Sequence, residues 1–335
     1  MIQEHRNLYS ESISIVVPVY NSEESLPILI TRLISVLRKL TPQFEIILVN
    51  DGSQDQSWNT IYNLCKNHSF IQGINLGKNY GQHNALLAGI RAAQNEIILT
   101  IDDDLQSPPE EIPKLIHKLN RDVDVVYGTP LKEQHGLMRD LASRVVKLGL
   151  THFLGAKMAS KSSSFRAFRS RLKDGFKDYQ CDFISIDILL SWTTNRFSSV
   201  KVAHQDRKQG QSNYNLIKLY RHSLNMLTGY STFPLQLASA IGLFFTGVGG
   251  AIFCFVLFNY FIRGNQIAGF AFLASTICIF SGATLFSIGI LGEYLARMYS
   301  RSLQRPAYTI RETSFLEKKP FLQPSWSEEK NQHLS

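Results

Sequence analysis

Two long apolar stretches near the end of the chain constrain its fold more than any other feature. Residues 235–262 and 267–292 contain no charged residue. An α-helix needs roughly 20 apolar residues to cross a hydrocarbon core about 30 Å thick, and both stretches exceed that length. Only residues 263–266 separate them. We therefore expect two transmembrane helices joined as a hairpin.

The segments around the hairpin predict its orientation. Residues 1–12 are polar, and the apolar run at 13–19 is too short for the core of a signal peptide, so we expect the N-terminal domain to stay in the cytosol. Several arginines follow the second apolar stretch, as in the cytoplasmic segments of membrane proteins. These features predict a multi-pass inner-membrane or plasma-membrane protein with both termini in the cytosol.

The chain is basic, with a formal net charge of +8 at pH 7. Nucleic acid is one partner of basic chains, but no reader motif and no interleaving of aromatic and basic residues occurs here. Basic residues instead cluster near the apolar stretches, so we favour an anionic membrane surface and expect no nucleic acid. The four cysteines form no CxxC pair, which indicates neither a disulfide framework nor a zinc site.

The region before the hairpin alternates between short apolar runs and helical patterns. The runs typical of strands are residues 13–19, 44–49, 71–76, 96–99 and 123–127. The helical patterns are residues 26–40, 58–67, 83–93 and 109–119. Such alternation predicts an α/β domain with a mostly parallel sheet covered by helices on both faces. No G-x-G-x-x-G and no P-loop motif is present.

An acidic segment follows the strand predicted at residues 96–99. It reads Thr-Ile-Asp-Asp-Asp-Leu-Gln-Ser-Pro-Pro at residues 100–109. Side chains two apart on an extended chain point the same way, so Asp102 and Asp104 are expected to aim at one point, with Gln106 adding an oxygen. Two carboxylates there suit Mg²⁺ or Mn²⁺ with substrate phosphates completing the shell. An Asp-rich turn without a ligand is the alternative.

Three other residues lie at the ends of predicted strands. Tyr20 follows the first strand, Asp51 the second and Gly77 the third. Ligands of open parallel sheets bind beyond the carboxyl ends of the strands. This convergence favours one binding site at that edge over a set of unrelated turns.

Taken together, the motifs resemble the family 2 glycosyltransferases with a GT-A fold, a Rossmann-like α/β fold. The shared motifs are Val-Val-Pro-Val-Tyr-Asn at 16–21, Val-Asn-Asp-Gly-Ser at 49–53, the stretch 75–89, and Asp-x-Asp-Leu-Gln-x-Pro-Pro at 102–109. Phe-Arg-Ala-Phe-Arg at 165–169 and Arg-x-x-Gly-x-Ser-x-Tyr at 207–214 are similar to the polyprenyl-phosphate glycosyltransferases. That group includes dolichyl-phosphate mannose synthase and bacterial undecaprenyl-phosphate glucosyltransferases and aminoarabinose transferases. Leu-Gly-Glu-Tyr at 291–294 and Arg-Pro-x-Tyr at 305–308 are similar to its bacterial members.

The resemblance implies a membrane enzyme that moves a sugar from a nucleotide-sugar to an undecaprenyl or dolichyl phosphate. Inversion at the anomeric carbon would give a lipid-linked sugar donor for cell-envelope glycans or glycoproteins. A divalent metal, Mg²⁺ or Mn²⁺, the lipid bilayer and a homo-oligomer are implied as well.

The resemblance also implies roles for individual residues. The expected nucleotide ligands are Pro18, Tyr20, Asp51, Asp102, Asp104 and Arg207. The expected metal ligands are Asp102, Asp104 and Gln106. The expected ligands of the acceptor phosphate are Arg139, Arg166, Ser212 and Tyr214. The expected catalytic residues are Asp102, Asp104, Arg207 and Arg166. Because the acceptor phosphate is already ionised at pH 7, it needs positioning and charge compensation more than a general base.

Departures from the family pattern leave the donor sugar and the acceptor contacts open. Ser22 replaces an acid that many relatives carry, and Ser164 precedes Phe-Arg where many relatives have an acid or another polar group. Thr129 and Pro130 follow Tyr-Gly where an arginine is common. The nucleotide, the isoprenoid length and the preferred metal are open as well.

Two other functions remain as alternatives. A polysaccharide-extending synthase usually carries more spans and a Q-x-x-R-W segment, which is missing here. A non-catalytic membrane scaffold with a degenerate transferase domain is the other, and the intact acids argue against it.

The predicted domains are a cytosolic GT-A domain at residues 1–212, an interfacial amphipathic helix at 213–232, the transmembrane hairpin at 233–296 and a cytosolic basic tail at 297–335.

Overall fold

The computed structural model describes residues 9–130, 163–180, 185–204, 233–263, 269–303 and 305–314. The strands are β1 (Ile13–Val19), β2 (Phe44–Asn50), β3 (Ile71–Leu76), β4 (Ile97–Thr100), β5 (Val125–Pro130), β6 (Arg166–Arg169), β7 (Phe197–Val202) and β8 (Ile310–Ser314). The α-helices are α1 (Ser25–Leu40), α2 (Ser57–Asn67), α3 (Gln82–Ala92), α4 (Ile112–Lys118), α5 (Ile186–Thr193), α6 (Phe233–Arg263) and α7 (Phe270–Ser302). Short 3₁₀-helices span Pro109–Glu111 and Ser170–Phe176.

All the strands within these ranges join one eight-stranded sheet, in the order β7-β5-β6-β4-β1-β2-β3-β8. β1 pairs in parallel with β2 and β4, β2 with β3, and β5 with β7. β6 is antiparallel to both β4 and β5, and β8 is antiparallel to β3. The sheet is therefore mixed but mostly parallel, and the predicted α/β class is confirmed.

Helices cover both faces of the sheet because the central strands are apolar on both sides. On β1, Ile13, Ile15 and Val17 pack with α1, α2 and α4 in one buried cluster. Val16 points to the other face and packs with α3 and α5. Side chains alternate between faces along a strand, so this near-continuous apolar run is what a doubly covered parallel strand requires.

The five strands predicted from apolar runs occur at the expected places, with ends that differ by up to three residues. β6, β7 and β8 were not predicted. β6 is four residues long and begins and ends with arginine, and four of the five residues of β8 are exposed. Neither sequence carries the apolar signal of a buried strand, so only the tertiary pairing identifies them.

α6 and α7 carry two segments that are long and apolar enough to cross a membrane. These are Leu235–Val256 and Ile279–Tyr299, with mean hydropathies of 2.0 and 1.4. At 1.5 Å per residue each is about 32 Å long, which matches a hydrocarbon core of about 30 Å. Within these two segments only Ala238 is buried, unlike the residues of a soluble domain's core helix. α7 continues to Ser302, past the end of the hairpin predicted at residue 296.

The two long helices pack against each other through aromatic and small residues. The rings of Phe245 and Phe280 meet edge to face with centroids 5.9 Å apart. A Cβ atom on Gly249 would lie 2.9 Å from the Phe280 ring, so this glycine permits the close approach. The predicted helical hairpin is thus present as a packed pair.

Candidate active site

Four segments predicted to form a site do meet at one edge of the sheet. Tyr20 follows the end of β1, Asp51 the end of β2, Gly77 the end of β3, and Asp102 comes soon after β4. These four strands are mutually parallel neighbours, so their carboxyl ends share an edge. The expected convergence is therefore found in the tertiary structure.

The acidic segment after β4 is a turn, and the prediction of an extended chain there is wrong. β4 ends at Thr100, residues 103 and 104 lie in a turn, and Leu105 has φ of 61°. The Asp104 carboxylate accepts the backbone N–H of Gln106 at 3.1 Å, a short-range contact that favours a turn. The partly buried Leu105 side chain packs on the core, which offsets its unfavourable backbone conformation. Strand alternation therefore does not decide where Asp102 and Asp104 point.

Asp102 sits in a polar pocket formed by two neighbouring segments. Its Oδ1 accepts a hydrogen bond from Gln82 at 2.6 Å, and its Oδ2 accepts one from the Ser164 hydroxyl at 2.5 Å. Burial raises the pKa of Asp102 above its usual value; the Ser164 hydrogen bond opposes that rise, and the nearby Asp104 charge adds to it. A divalent cation would relieve this repulsion between carboxylates.

Asp103, which is not among the expected metal ligands, faces the turn after β1. Its Oδ2 accepts the backbone N–H of Tyr20 at 3.0 Å and the hydroxyl of Ser22 at 2.5 Å. Burial raises the pKa of Asp103 to about 6, against the opposing hydrogen bonds. This carboxylate therefore joins the turn after β1 to the turn after β4.

The Asp51 carboxylate binds backbone N–H groups of the loop that follows β3. Its Oδ1 accepts the N–H of Tyr80 at 2.7 Å and its Oδ2 accepts the N–H of Gly81 at 2.9 Å. Burial raises the pKa of Asp51, although both hydrogen bonds oppose the rise. A carboxylate has about four acceptor positions, so a nucleotide contact is compatible with these two bonds. That contact stays a prediction.

Gly52 allows this loop to approach the Asp51 turn closely. Its φ of 67° lies in the left-handed region, and a Cβ atom would lie 2.5 Å from the backbone nitrogen of Asn79. Only glycine meets both conditions without strain. The Asn-Asp-Gly signal in the sequence reflects this geometry.

The structure buries Arg166 instead of presenting it to solvent. Its side chain is 2% exposed, and its Nη1 donates to Asp187 in an ion pair. The Tyr127 hydroxyl donates to the same Asp187 oxygen at 2.8 Å, and the Arg166 guanidinium lies 5.9 Å from the centre of the Tyr127 ring. The charge of Arg166 opposes the raised pKa of Asp102, so the two groups are electrostatically coupled. The expected contact of Arg166 with the acceptor phosphate stays a prediction.

Asp187, the ion-pair partner of Arg166, was not predicted from the sequence. It lies in the first turn of α5, and its neighbours in the sequence form no motif that singles it out. One signal was available: an acid at the start of an apolar helix stabilises the helix N-terminus.

The other predicted residues divide into three groups. Pro18 is buried within β1 opposite Val49, whereas Tyr20 is 46% exposed at the edge. Gln106 is partly exposed beside Asp104. The remaining predicted ligands lie outside the described residues: Arg139, Arg207, Ser212 and Tyr214. The predicted interfacial helix at 213–232 and the domain boundary before it lie outside them as well.

The donor set at this edge fits a hard divalent cation that shares its shell with a substrate. Among the described residues, no group of three or more His, Cys, Asp and Glu side chains is arranged to hold a metal ion by itself. Two carboxylates and substrate oxygens are the usual shell of Mg²⁺ in phosphate-binding sites. Asp102 and Asp104 are therefore able to supply the protein part of such a site.

Comparison with known proteins identifies the class of this chain. The model of the family "Glycosyl transferase family 2" matches residues 14–176. The undecaprenyl-phosphate 4-deoxy-4-formamido-L-arabinose transferase of Photorhabdus laumondii is 34% identical over 304 residues, which cover 90% of this chain and 94% of that protein. The chain therefore belongs to the family 2 glycosyltransferases.

Within that family, its relatives include further undecaprenyl-phosphate sugar transferases. The transferase of the same name from Pectobacterium atrosepticum is 34% identical over 307 residues, covering 90% of this chain and 94% of that protein. Comparison of structures matches the chain to glucosyl-3-phosphoglycerate synthase from Mycobacterium tuberculosis in complex with Mn²⁺, UDP-glucose and phosphoglyceric acid, which is 18% identical to it in sequence. The match covers 65% of this chain and 78% of the synthase chain, with a TM-score of 0.48.

Proposed function

We propose that the protein transfers a sugar from a nucleotide-sugar to undecaprenyl phosphate and so forms a lipid-linked sugar. The observation that carries this proposal is the pair Asp102 and Asp104 at the carboxyl edge of the sheet, on a chain with two helices able to cross a membrane. The relatives that align over 90% of the chain are named for this type of reaction. A membrane lipid acceptor also explains why a transferase carries a helical hairpin.

Asp102 and Asp104, with Gln106 beside them, would hold Mg²⁺ or Mn²⁺ together with the diphosphate of the donor. When bound, the cation supplies positive charge that stabilises the leaving nucleoside diphosphate. Tyr20, Asp51 and Pro18 would line the nucleotide side of the same edge.

The acceptor phosphate needs positive charge and orientation. It is ionised at pH 7, so no residue has to remove a proton before it attacks the sugar. Arginine suits this task because its planar guanidinium pairs with two phosphate oxygens. The proposed ligands are Arg139, Arg166, Arg207, Ser212 and Tyr214. The ion pair with Asp187 uses Nη1 of Arg166, and the buried Nε has no hydrogen-bond partner among the described residues, so this guanidinium keeps donors for a phosphate.

The pairing of β3 with β8 supports a helical hairpin whose two ends lie on the same side of the membrane. β8 follows the second membrane helix and joins the sheet of the N-terminal domain, so both lie on one side of the membrane. Two crossings satisfy this condition and one does not. We propose that this side is the cytosol, because Arg297 lies near the C-terminal end of α7, and Arg305 and Arg311 follow that helix. A homo-oligomer is part of the same proposal.

A transfer assay tests the function directly. Radiolabelled nucleotide-sugars, including nucleotide-linked 4-deoxy-4-formamido-L-arabinose, are incubated with undecaprenyl phosphate in detergent, with Mg²⁺ or Mn²⁺ and with EDTA. We expect label to enter the organic phase for one donor. EDTA and Asp104→Asn should each lower the rate at least about 100-fold, the scale on which loss of charge stabilisation acts. Asp122→Asn, at an exposed position, is the matched control and should transfer normally.

Two outcomes would overturn the proposal. One is a folded protein that transfers no sugar from any donor, which would favour the scaffold function. The other is transfer that continues unchanged in EDTA and in Asp104→Asn, which would remove the metal from the reaction.

The orientation has its own test. A protease-sensitive tag at the C-terminus of the full chain is digested in sealed inner-membrane vesicles of known orientation. Cleavage only in vesicles with the cytosolic face outward is expected, and cleavage only in the opposite orientation would refute the cytosolic assignment.

A further inference from the structure

The chain that returns from the membrane contacts the edge of the sheet where the site lies. The tail segment (residues 305–314) follows α7, and its Thr309 carbonyl accepts the N–H of Gly77 at 2.9 Å. The Thr309 hydroxyl is hydrogen-bonded to the Tyr80 hydroxyl at 2.7 Å. A Cβ atom on Gly77 would lie 2.7 Å from the Thr309 hydroxyl oxygen, so the contact leaves no spare room. Two bonds thus join the tail segment to the 77–81 loop.

The opposite side of the 77–81 loop is held by Asp51. Both of its carboxylate oxygens accept backbone N–H groups of this loop, at Tyr80 and Gly81. The loop therefore lies between a proposed nucleotide ligand and the tail segment. The same short loop therefore carries the hydrogen bonds to Asp51 and those to Thr309.

A second series of hydrogen bonds runs from the tail segment to the same turn. The Glu312 carboxylate accepts a hydrogen bond from the Asn75 amide at 2.8 Å. The side-chain Oδ1 of Asn75 accepts one from Nδ2 of Asn50 at 2.8 Å, and Oδ1 of Asn50 accepts the backbone N–H of Ser53 at 3.4 Å. This series shares no residue with the Thr309 contacts.

The tail segment also limits the distance between the site and the membrane helix. Thr309 lies seven positions after Ser302, the end of α7. An extended chain of seven residues spans at most about 25 Å. The Arg91 guanidinium lies 5.6 Å from the centre of the Tyr308 ring, which holds the segment against α3. The 77–81 loop is therefore tied to the end of the membrane hairpin by a short chain.

We propose that Thr309 and Glu312 are positioning residues that complete the donor site from the chain returning from the membrane. They act through the 77–81 loop and the Asp51 turn and do not touch the substrate. The inference rests on the proposed transferase function and on the placement of the nucleotide at this edge. It predicts that weakening the tail contacts raises the KM for the nucleotide-sugar while kcat and the KM for the lipid acceptor stay within about twofold.

Three variants of the full-length protein test this inference. Thr309→Val removes the hydroxyl and keeps the shape, whereas Glu312→Ala removes the acceptor of Asn75. We expect each to raise the donor KM about two- to tenfold, the range for one hydrogen bond. The double variant should approach the product of the two effects, because the two series are separate. Thr313→Val makes the same substitution at an exposed position of β8 and should leave the KM unchanged.

Hydrogen exchange provides a readout that is independent of catalysis. The amides of Tyr80 and Gly81 should exchange about tenfold faster in the double variant, because the loop opens more often. Glu312→Gln keeps an oxygen for Asn75 and should restore the donor KM to within about twofold of the wild type.

The outcomes separate the two proposals. If the wild-type protein transfers no sugar, the proposed function fails, and the exchange rates still decide whether the tail orders the loop. If the wild type transfers sugar and the double variant keeps both its donor KM and its loop protection, the positioning role is refuted. A lower melting temperature with an unchanged donor KM also refutes it, because that result indicates a purely structural strand.

Discussion

Replacing Asp51 by Asn tests how the turn after β2 holds the 77–81 loop. Asp51 is 3% exposed, and its carboxylate accepts two backbone N–H groups, at 2.7 and 2.9 Å. Asparagine has the same shape but presents one oxygen and one NH₂ group. One of the two backbone N–H groups would then face a donor instead of an acceptor.

The size of the effect follows from these two bonds. A hydrogen bond to a charged group contributes about 1.5–3 kcal/mol and a neutral one about 0.5–1.5 kcal/mol. Asp51→Asn loses one charged bond and weakens the other, but it also avoids the burial cost that raises the pKa of Asp51. We expect a net loss of about 2 kcal/mol for Asp51→Asn and about 4 kcal/mol for Asp51→Ala, which leaves both N–H groups without this acceptor.

Thermal unfolding in detergent measures the loss. For a domain of this size 1 kcal/mol shifts the melting temperature by about 2–4 °C, so Asp51→Asn should lower it by about 4–8 °C. Asp122→Asn, at an exposed position, is the control and should shift it by less than about 2 °C. Equal melting temperatures for the wild type and both Asp51 variants would refute the reasoning, because the two bonds would then contribute nothing.

Three further substitutions test the packing and charge of the sheet domain. Gly52→Ala combines a φ of 67° with a Cβ atom 2.5 Å from the Asn79 nitrogen, and should cost at least about 2 kcal/mol in thermal unfolding. Gly89→Ala places a Cβ atom 2.4 Å from a Val16 methyl group and should cost about 1–3 kcal/mol, partly recovered by adding Val16→Ala. Burial alone would raise the pKa of Asp124, but hydrogen bonds from arginine and threonine side chains together lower it below 3.8. The difference in unfolding free energy between the wild type and Asp124→Asn should therefore have its full value at pH 7. It should disappear as the pH falls through that lowered pKa, in denaturation curves recorded at a series of pH values.

The contradicting results for this group are specific. Wild-type melting of either glycine variant would mean that the close approaches relax without cost. A gap between wild type and Asp124→Asn that stays constant from pH 7 into the acid range would mean that the carboxylate charge is not the source of its stability.

Much of the fold was predictable because it depends on local patterns. The apolar runs placed five strands, and their alternation with helices indicated a doubly covered parallel sheet. The charge-free stretches placed the helical hairpin. The turn signals at Asp51 and Asp102 placed the site at the carboxyl edge, since parallel strands bring those ends together.

Details of the site were not predictable because they depend on partners far away in the chain. The turn at Asp103 and Leu105 forms where an extended chain was expected. Arg166 pairs with Asp187 in the interior, although the sequence favoured a role at the acceptor phosphate. Neither the spacing nor the residue types of these segments indicate which distant side chains they contact in the folded protein.

The sequence by itself determined the class of fold, the membrane hairpin and the acidic edge of the sheet, because side-chain periodicity and long apolar runs are local properties. Only the tertiary structure decided that the tail returns to the sheet as β8. The contact between Asn75 and Glu312 joins residues 237 positions apart. Strand pairing is made by backbone groups that every sequence carries, so a short polar strand gains its place only when a sheet edge is available to it.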